Sequence, residues 1–155
     1  MTLGSDLIIL ITNPIIISVV LAFLTSMFLK FLASDEQTFK SFLLSHGGMP
    51  STHSSSVCAL VVAIYFTEGI TTLLIFSLIF AITTVNDAIN SRYEIGVHAK
   101  ILNKIMKNPK YQLLERVGHK PIEAFIGILV GISVATIVHF VPIAIILIRS
   151  ILNQI

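Results

Sequence analysis

Apolar residues run along this chain in long blocks, with short polar clusters between them. The first block covers residues 7–30 and is interrupted at Asn13-Pro14. About 20 apolar residues cross a bilayer core. The block therefore predicts a transmembrane helix that starts near Pro14 or is bent there, with Lys30 at its end. Asp6 precedes it and no Lys or Arg does, which does not fit a secretory signal. A polar connection over 34–46 has an apolar side from Phe39, Phe42, Leu43 and Leu44, so part of it is expected in the interface or re-entering.

Three further blocks follow. A short second span is predicted over 51–66, ended by Thr67-Glu68-Gly69, and a third over 71–90, with Asn86 and Asp87 near its end. Over 94–107, Ile95, Leu102, Ile105 and Met106 fall on one side and Lys100, Asn103, Lys104 and Lys107 toward the other. That spacing predicts an amphipathic helix lying on the membrane surface. Asn108-Pro109 ends it. The fourth span, 121–138, opens at Pro121 and carries Gly127 and Gly131 at the spacing of close helix packing. His139-Phe140-Val141-Pro142 interrupts it, with His139 read as interfacial. The remaining stretch, 142–153, either continues a kinked helix or turns back as a short fifth one. The expectation is an all-α polytopic bundle of four to five transmembrane helices plus an interfacial amphipathic helix, as a single domain over 1–155.

Composition agrees: 55% of the 155 residues are hydrophobic and only 12% charged, far from soluble norms. The single cysteine, Cys58, cannot form an intramolecular disulfide and reads as a small core residue. No Cys/His metal spacing and no nucleic-acid signature appears, and no cofactor is implied. The partners expected are the bilayer and an anionic phospholipid.

The chemistry gathers around Gly47-Gly48-Met49-Pro50-Ser51-Thr52-His53-Ser54-Ser55-Ser56. Pro50 cannot continue a helix but suits the approach to one. Ser51 or Thr52 is a natural N-cap. The spare N–H groups and positive dipole end of a helix start form an anion site, and glycines let the backbone come close to a ligand. From local residues alone, the cluster fits either a phosphate site or a plainly capped helix start.

Topology favours the first. An even number of crossings separates Lys30, the Pro50 cluster, Arg92 and His119, so all four lie on one face. Two helix starts, two histidines, a lysine, an arginine and Glu123 can then converge. Phosphoryl transfer depends on such positioning and on cations around the equatorial oxygens. A histidine nucleophile splits ester hydrolysis into two easier steps, and a second histidine can protonate the leaving alkoxide. Glu123, four residues after His119, can fix the imidazole tautomer. Asp87, near a membrane edge, reads as an interfacial residue or a partner within the bundle.

Pro50-Ser51-Thr52-His53 resembles the Pro-Ser-x-His motif of the type 2 phosphatidic acid phosphatase and vanadium haloperoxidase superfamily. His119-x-Pro121-x-Glu123-x-x-x-Gly127 resembles the end of its third motif. Gly47 to Ser54, Asp87-Ala88, Arg92, Gly96, Leu102-Asn103, Glu115 and Gly118-His119 resemble the divergent membrane branch more closely, over roughly 30–131. The resemblance implies a metal-independent lipid phosphatase. His119 would be the nucleophile, His53 the general acid, and Glu123 the group that orients His119. Ser51, Thr52 and the backbone near Gly48 would contact phosphate, and Arg92 and Lys30 would neutralise it, with Asp87 in support.

The third motif usually places histidine six residues after arginine. His98 has that spacing after Arg92, but Leu102 stands where the acid belongs and Lys100 where the proline belongs. The motif therefore reads as split by the amphipathic segment, with His119, which has both, as nucleophile. Lys30 lacks the Arg-Pro that follows it in the first motif.

The expected substrate is phosphatidylglycerophosphate, then phosphatidic acid or polyprenyl phosphates and diphosphates. The competing function is a non-catalytic protein that binds anionic lipid. Nine of the ten basic residues lie on the face with the clusters, only Arg149 lying outside that set. Basic short loops mark the cytoplasmic side. The expectation is a multi-pass protein of the bacterial inner membrane with its site facing the cytoplasm.

Overall fold

The structure, a computed structural model, describes residues 10–33, 48–107, 109–115 and 117–152. The expected connection over 34–46 lies outside the described residues, as does Gly47. The protein is all-helical, with no strand among the described residues. Its helices are α1 (Pro14–Leu32), α2 (Thr52–Glu68), α3 (Thr72–Ile89), α4 (Ser91–Met106) and α5 (Pro121–Leu152), with a 3₁₀ turn at Pro109–Tyr111. Among the described residues, three stretches are long and apolar enough to cross a membrane: Pro14–Leu32, Thr72–Met106 and Pro121–Ile143.

Local chemistry fixes the helix starts. Asn13 caps α1, its Oδ1 accepting from the Ile15 N–H at 2.8 Å, and Pro14 supplies the first helical residue. Ser51 caps α2 by accepting from the Ser54 N–H at 3.3 Å. Thr71 caps α3 through the Leu74 N–H. Gly69 ends α2 at φ 71°, a left-handed conformation that a side chain would strain.

One expectation changes, and one open alternative resolves. α4 begins at Ser91 rather than Glu94, and only Asn90 separates it from α3. The polarity of Ser91-Arg92-Tyr93 marks a change of environment, while the backbone stays helical. The segment after Pro142 does not turn back as a fifth span. α5 runs through Pro142 to Leu152 as one 32-residue helix. Its far part is met by α2: Phe66 stacks on His139 with ring centroids 4.6 Å apart and meets Phe140 edge-on.

The centre of the bundle is made of small residues. Ser18, Ala22 and Ser26 of α1, Ser51, Ser55, Ala59 and Ala63 of α2, and Ala124 and Ala135 of α5 are all buried. Large apolar side chains such as Phe23, Phe76 and Leu129 point outward. Lipid tails are as apolar as leucine, so helices in a bilayer associate by close approach and backbone contact. A methyl group on Gly131 would overlap the Ser55 carbonyl, and one on Gly127 would stand 2.5 Å from the Ser51 carbonyl oxygen. The Ser55 hydroxyl reaches the Ala22 carbonyl of α1 at 3.4 Å, fixing the register of α1 against α2.

Candidate active site

The site lies where α2 and α5 begin. Pro50 and Ser51 open α2, and the Ser51 N–H donates across to the Glu123 carbonyl at 3.0 Å. Ser51 is fully buried, its hydroxyl accepting from the N–H and hydroxyl of Ser54. The N–H groups of Thr52 and His53, next in the first turn, have no i−4 carbonyl to bond. They are the spare donors of this helix start.

His119 is 3% exposed. Its backbone N–H donates to the Ala88 carbonyl at 3.1 Å, near the end of α3. Its Nδ1 pairs with Glu123 Oε2 at 3.1 Å, one helical turn on, and the same oxygen accepts from the Lys120 N–H at 3.2 Å. Burial is the largest influence on this imidazole and holds its pKa below the ordinary histidine value. The hydrogen bond and charge of Glu123 oppose that, the Lys30 charge adds to it, and a backbone hydrogen bond with Gly48 opposes it. His53 is exposed, on the first turn of α2, with its ring centroid 6.5 Å from that of His119.

The cations converge on the same place. Lys30, in the last turn of α1, passes so close to Gly48 that a methyl group there would stand 3.3 Å from Lys30 Cε. Gly48 has φ +102°, which favours glycine. Arg92 and Lys30 are cationic neighbours of His53. Arg92 is itself oriented: its Nε donates to Asp87 Oδ2 at 2.7 Å, joining the first turn of α4 to the last of α3. Gly118 seats directly on the backbone of Arg92 and Tyr93, where any side chain would collide. That contact brings Arg92 and His119, 27 positions apart, to one place. His98 is exposed on α4 and makes none of these contacts.

Asn103 carries a role that its position in the sequence did not reveal. Its side-chain amide donates to the Leu113 carbonyl at 2.8 Å and to Glu115 Oε1 at 2.9 Å, and its Oδ1 accepts from the Leu113 N–H at 2.8 Å. It clamps the segment that leads to Gly118 and His119. The signals were an amide on the polar side of an otherwise lysine-rich helix and the presence of Asn103 and Glu115 in the family resemblance, neither of which showed that the two residues meet.

The sequence profile of the Divergent PAP2 family matches residues 11–134. The chain belongs to that family. Every residue of the site, from Lys30 to Glu123, falls inside the matched region. The chain is also 33% identical over 119 residues to the uncharacterized membrane protein YuiD of Bacillus subtilis (strain 168), covering 64% of this chain and 75% of that one. No solved structure matches it. Family membership, a membrane-protein relative and three described stretches long and apolar enough to cross a membrane make this an integral membrane protein of PAP2-like type.

Proposed function

We propose that this Divergent PAP2 protein hydrolyses a lipid phosphate monoester through a phosphohistidine at His119. The observation that carries the reading is the buried His119–Glu123 pair, with His53 one ring away and Lys30 and Arg92 beside them. The His119 nitrogen not facing Glu123 attacks phosphorus, forming the N–P bond as the P–O bond to the lipid breaks. His53, protonated, gives its proton to the departing alkoxide. Glu123 stabilises the positive charge that attack leaves on the His119 ring. Lys30, Arg92 and the spare N–H groups of α2 balance the equatorial oxygens. His53, now neutral, takes a proton from the water that attacks the phosphohistidine. Inorganic phosphate leaves, and both histidines return to their starting states.

In this reading residues 1–155 form one domain in which α1, α2, α3 and α5 all cross the bilayer, and α4 lies along its surface. Exposure of Ile95, Leu102, Ile105 and Met106 on α4 supports that placement. The distribution of basic residues supports a site at the cytoplasmic face of a bacterial inner membrane. An anionic inner leaflet attracts α4 by about 1 kcal/mol per basic residue. A lipid made on that leaflet, phosphatidylglycerophosphate first and phosphatidic acid next, is the substrate of choice.

The test is phosphate release by purified protein from short-chain phosphatidylglycerophosphate, phosphatidic acid and polyprenyl phosphate, with and without EDTA. Release that survives EDTA, vanadate inhibition competitive with substrate, and an acid-labile, alkali-stable phosphoprotein support the histidine route. Binding of these lipids without release identifies a lipid-binding protein. Activity lost in EDTA and restored by a divalent ion overturns the mechanism.

A further inference from the structure

α3 and α5 leave a gap between them. Both helices pack on α2, but they meet each other only sparsely. Between them lies an apolar cleft of about 430 Å³. That is within the roughly 300–1,000 Å³ of ligand clefts. Cys58 of α2 floors it, Leu78 and Ala81 of α3 form one wall, and Ile128 and Ile132 of α5 form the other. Asn86 brings a polar group to one end. Leu78 and Ile132 are each about two-fifths exposed, so the cleft opens sideways.

Measured along the helix axes, this cleft begins one to two turns from the phosphate site. Cys58 comes five residues after His53, Ile128 comes five after Glu123, and Asn86 adjoins Asp87, the partner of Arg92. At about 1.5 Å per residue, the cleft opens about 7.5 Å along each helix from His53 and from Glu123. It then follows α3 from Asn86 to Leu78, roughly 12 Å.

We propose that this cleft seats one acyl chain of the lipid substrate and so delivers the headgroup to the Arg92 side of His119. The inference rests on the phosphatase reading above. An apolar lining suits neither a headgroup nor ordered water. In the topology proposed above the open side faces bilayer depth, where hydrocarbon chains are the available occupant. The Asn86 end of the cleft lies within a turn of the Asp87–Arg92 pair along α3, so a lipid whose chain lies in the cleft has its charged end near that cation. Two small residues, Cys58 and Ala81, leave the room that larger side chains would fill.

The test compares a series of linear alkyl phosphates with an aryl phosphate that has no chain, for the natural protein and for Ala81→Phe. The natural protein should favour longer chains. Ala81→Phe should lose about tenfold in kcat/KM on the longest member and at most about twofold on the aryl phosphate. Equal loss on both, or no loss on either, overturns the cleft. A second measurement uses binding alone in the natural protein, where Cys58 is the sole thiol. A long-chain alkyl phosphonate should slow alkylation of Cys58 by N-ethylmaleimide. Inorganic phosphate and the uncharged alcohol of the same length should not. Equal protection by the alcohol would mean annular lipid only and would overturn the proposal. Protection without turnover of any phosphate ester would sink the phosphatase reading and leave the cleft standing as a lipid site. Turnover with neither protection nor chain-length preference would sink the cleft alone.

Discussion

The backbone N–H of Ser51 donates to the backbone carbonyl of Glu123 at 3.0 Å. This single bond joins the residue that caps α2 to the residue that holds His119. Its effect is to make two helix starts, and the histidine each carries, parts of one rigid unit. The geometry of His53 against His119 therefore depends on how closely α2 and α5 pack below them.

Substituting His119 by alanine should reduce turnover by at least about 10³-fold, as expected for loss of a nucleophile. His98→Ala should retain most activity, since His98 is exposed and away from the Glu123 pair. Steady-state phosphate release on both variants checks this. A dead His98→Ala beside an active His119→Ala would reverse the assignment.

His53→Ala should slow release of alkyl alcohols by roughly 10²–10⁴-fold, the usual contribution of a general acid. Aryl phosphates, whose leaving groups need less protonation, should suffer much less. Parallel assays on an alkyl and an aryl phosphate decide it, and equal losses on the two would remove the general-acid role.

The acidic limb of kcat/KM should lie below the ordinary histidine value of about 6.5. Attack needs neutral His119, and burial lowers its pKa, so the neutral form persists to lower pH than in a free histidine. Glu123→Gln removes the hydrogen-bonded charge that opposes this shift. The limb should then move further down in pH while kcat falls by about 10²-fold or more through loss of orientation. A pH–rate profile of both proteins reads the two effects separately. A limb moving upward in Glu123→Gln would contradict the balance of charges described for His119.

Gly131→Ala should destabilise the bundle by about 1–3 kcal/mol, the usual cost of overpacking. The added methyl has nowhere to go but into the Ser55 carbonyl. Thermal unfolding in detergent gives the stability. At temperatures where it stays folded, the variant should also lose activity, because α2 can no longer hold His53 in register with His119.

The parts of this structure legible in the sequence are those set by neighbouring residues. Pro50 with Ser51, and Pro121 with Glu123, announce helix starts through local sterics and capping, and the helices begin there. The His119–Glu123 pair was legible as a four-residue spacing across the start of α5, with Glu123 in its first turn reaching back to His119 just ahead of the helix. Gly127 and Gly131 announced a close approach but not its partner, because Ser51 and Ser55 are distant in the chain and look like ordinary polar residues. The α1 stripe of Ser18, Ala22 and Ser26 was hidden for the same reason, inside a run that reads as uniformly apolar. The start of α4 was misplaced because polarity changes at Ser91 while the helix continues. At Pro142 the sequence left a continued helix and a turn both open, and the helix continues because one in an apolar setting can accommodate the lost hydrogen bond.

α2 has 17 residues, which at 1.5 Å each gives about 25 Å of helix. The hydrocarbon layer is about 30 Å thick. In the topology proposed above, with Glu68 at the opposite surface, the serine-capped start of α2 falls short of the headgroup plane. A phosphate that reaches His53 must dip beneath the plane of its neighbours, into a medium where mobile ions screen charge poorly. Ionic strength should then govern how the protein gathers anionic lipid along α4, while hardly touching the affinity of a phosphate once it has arrived.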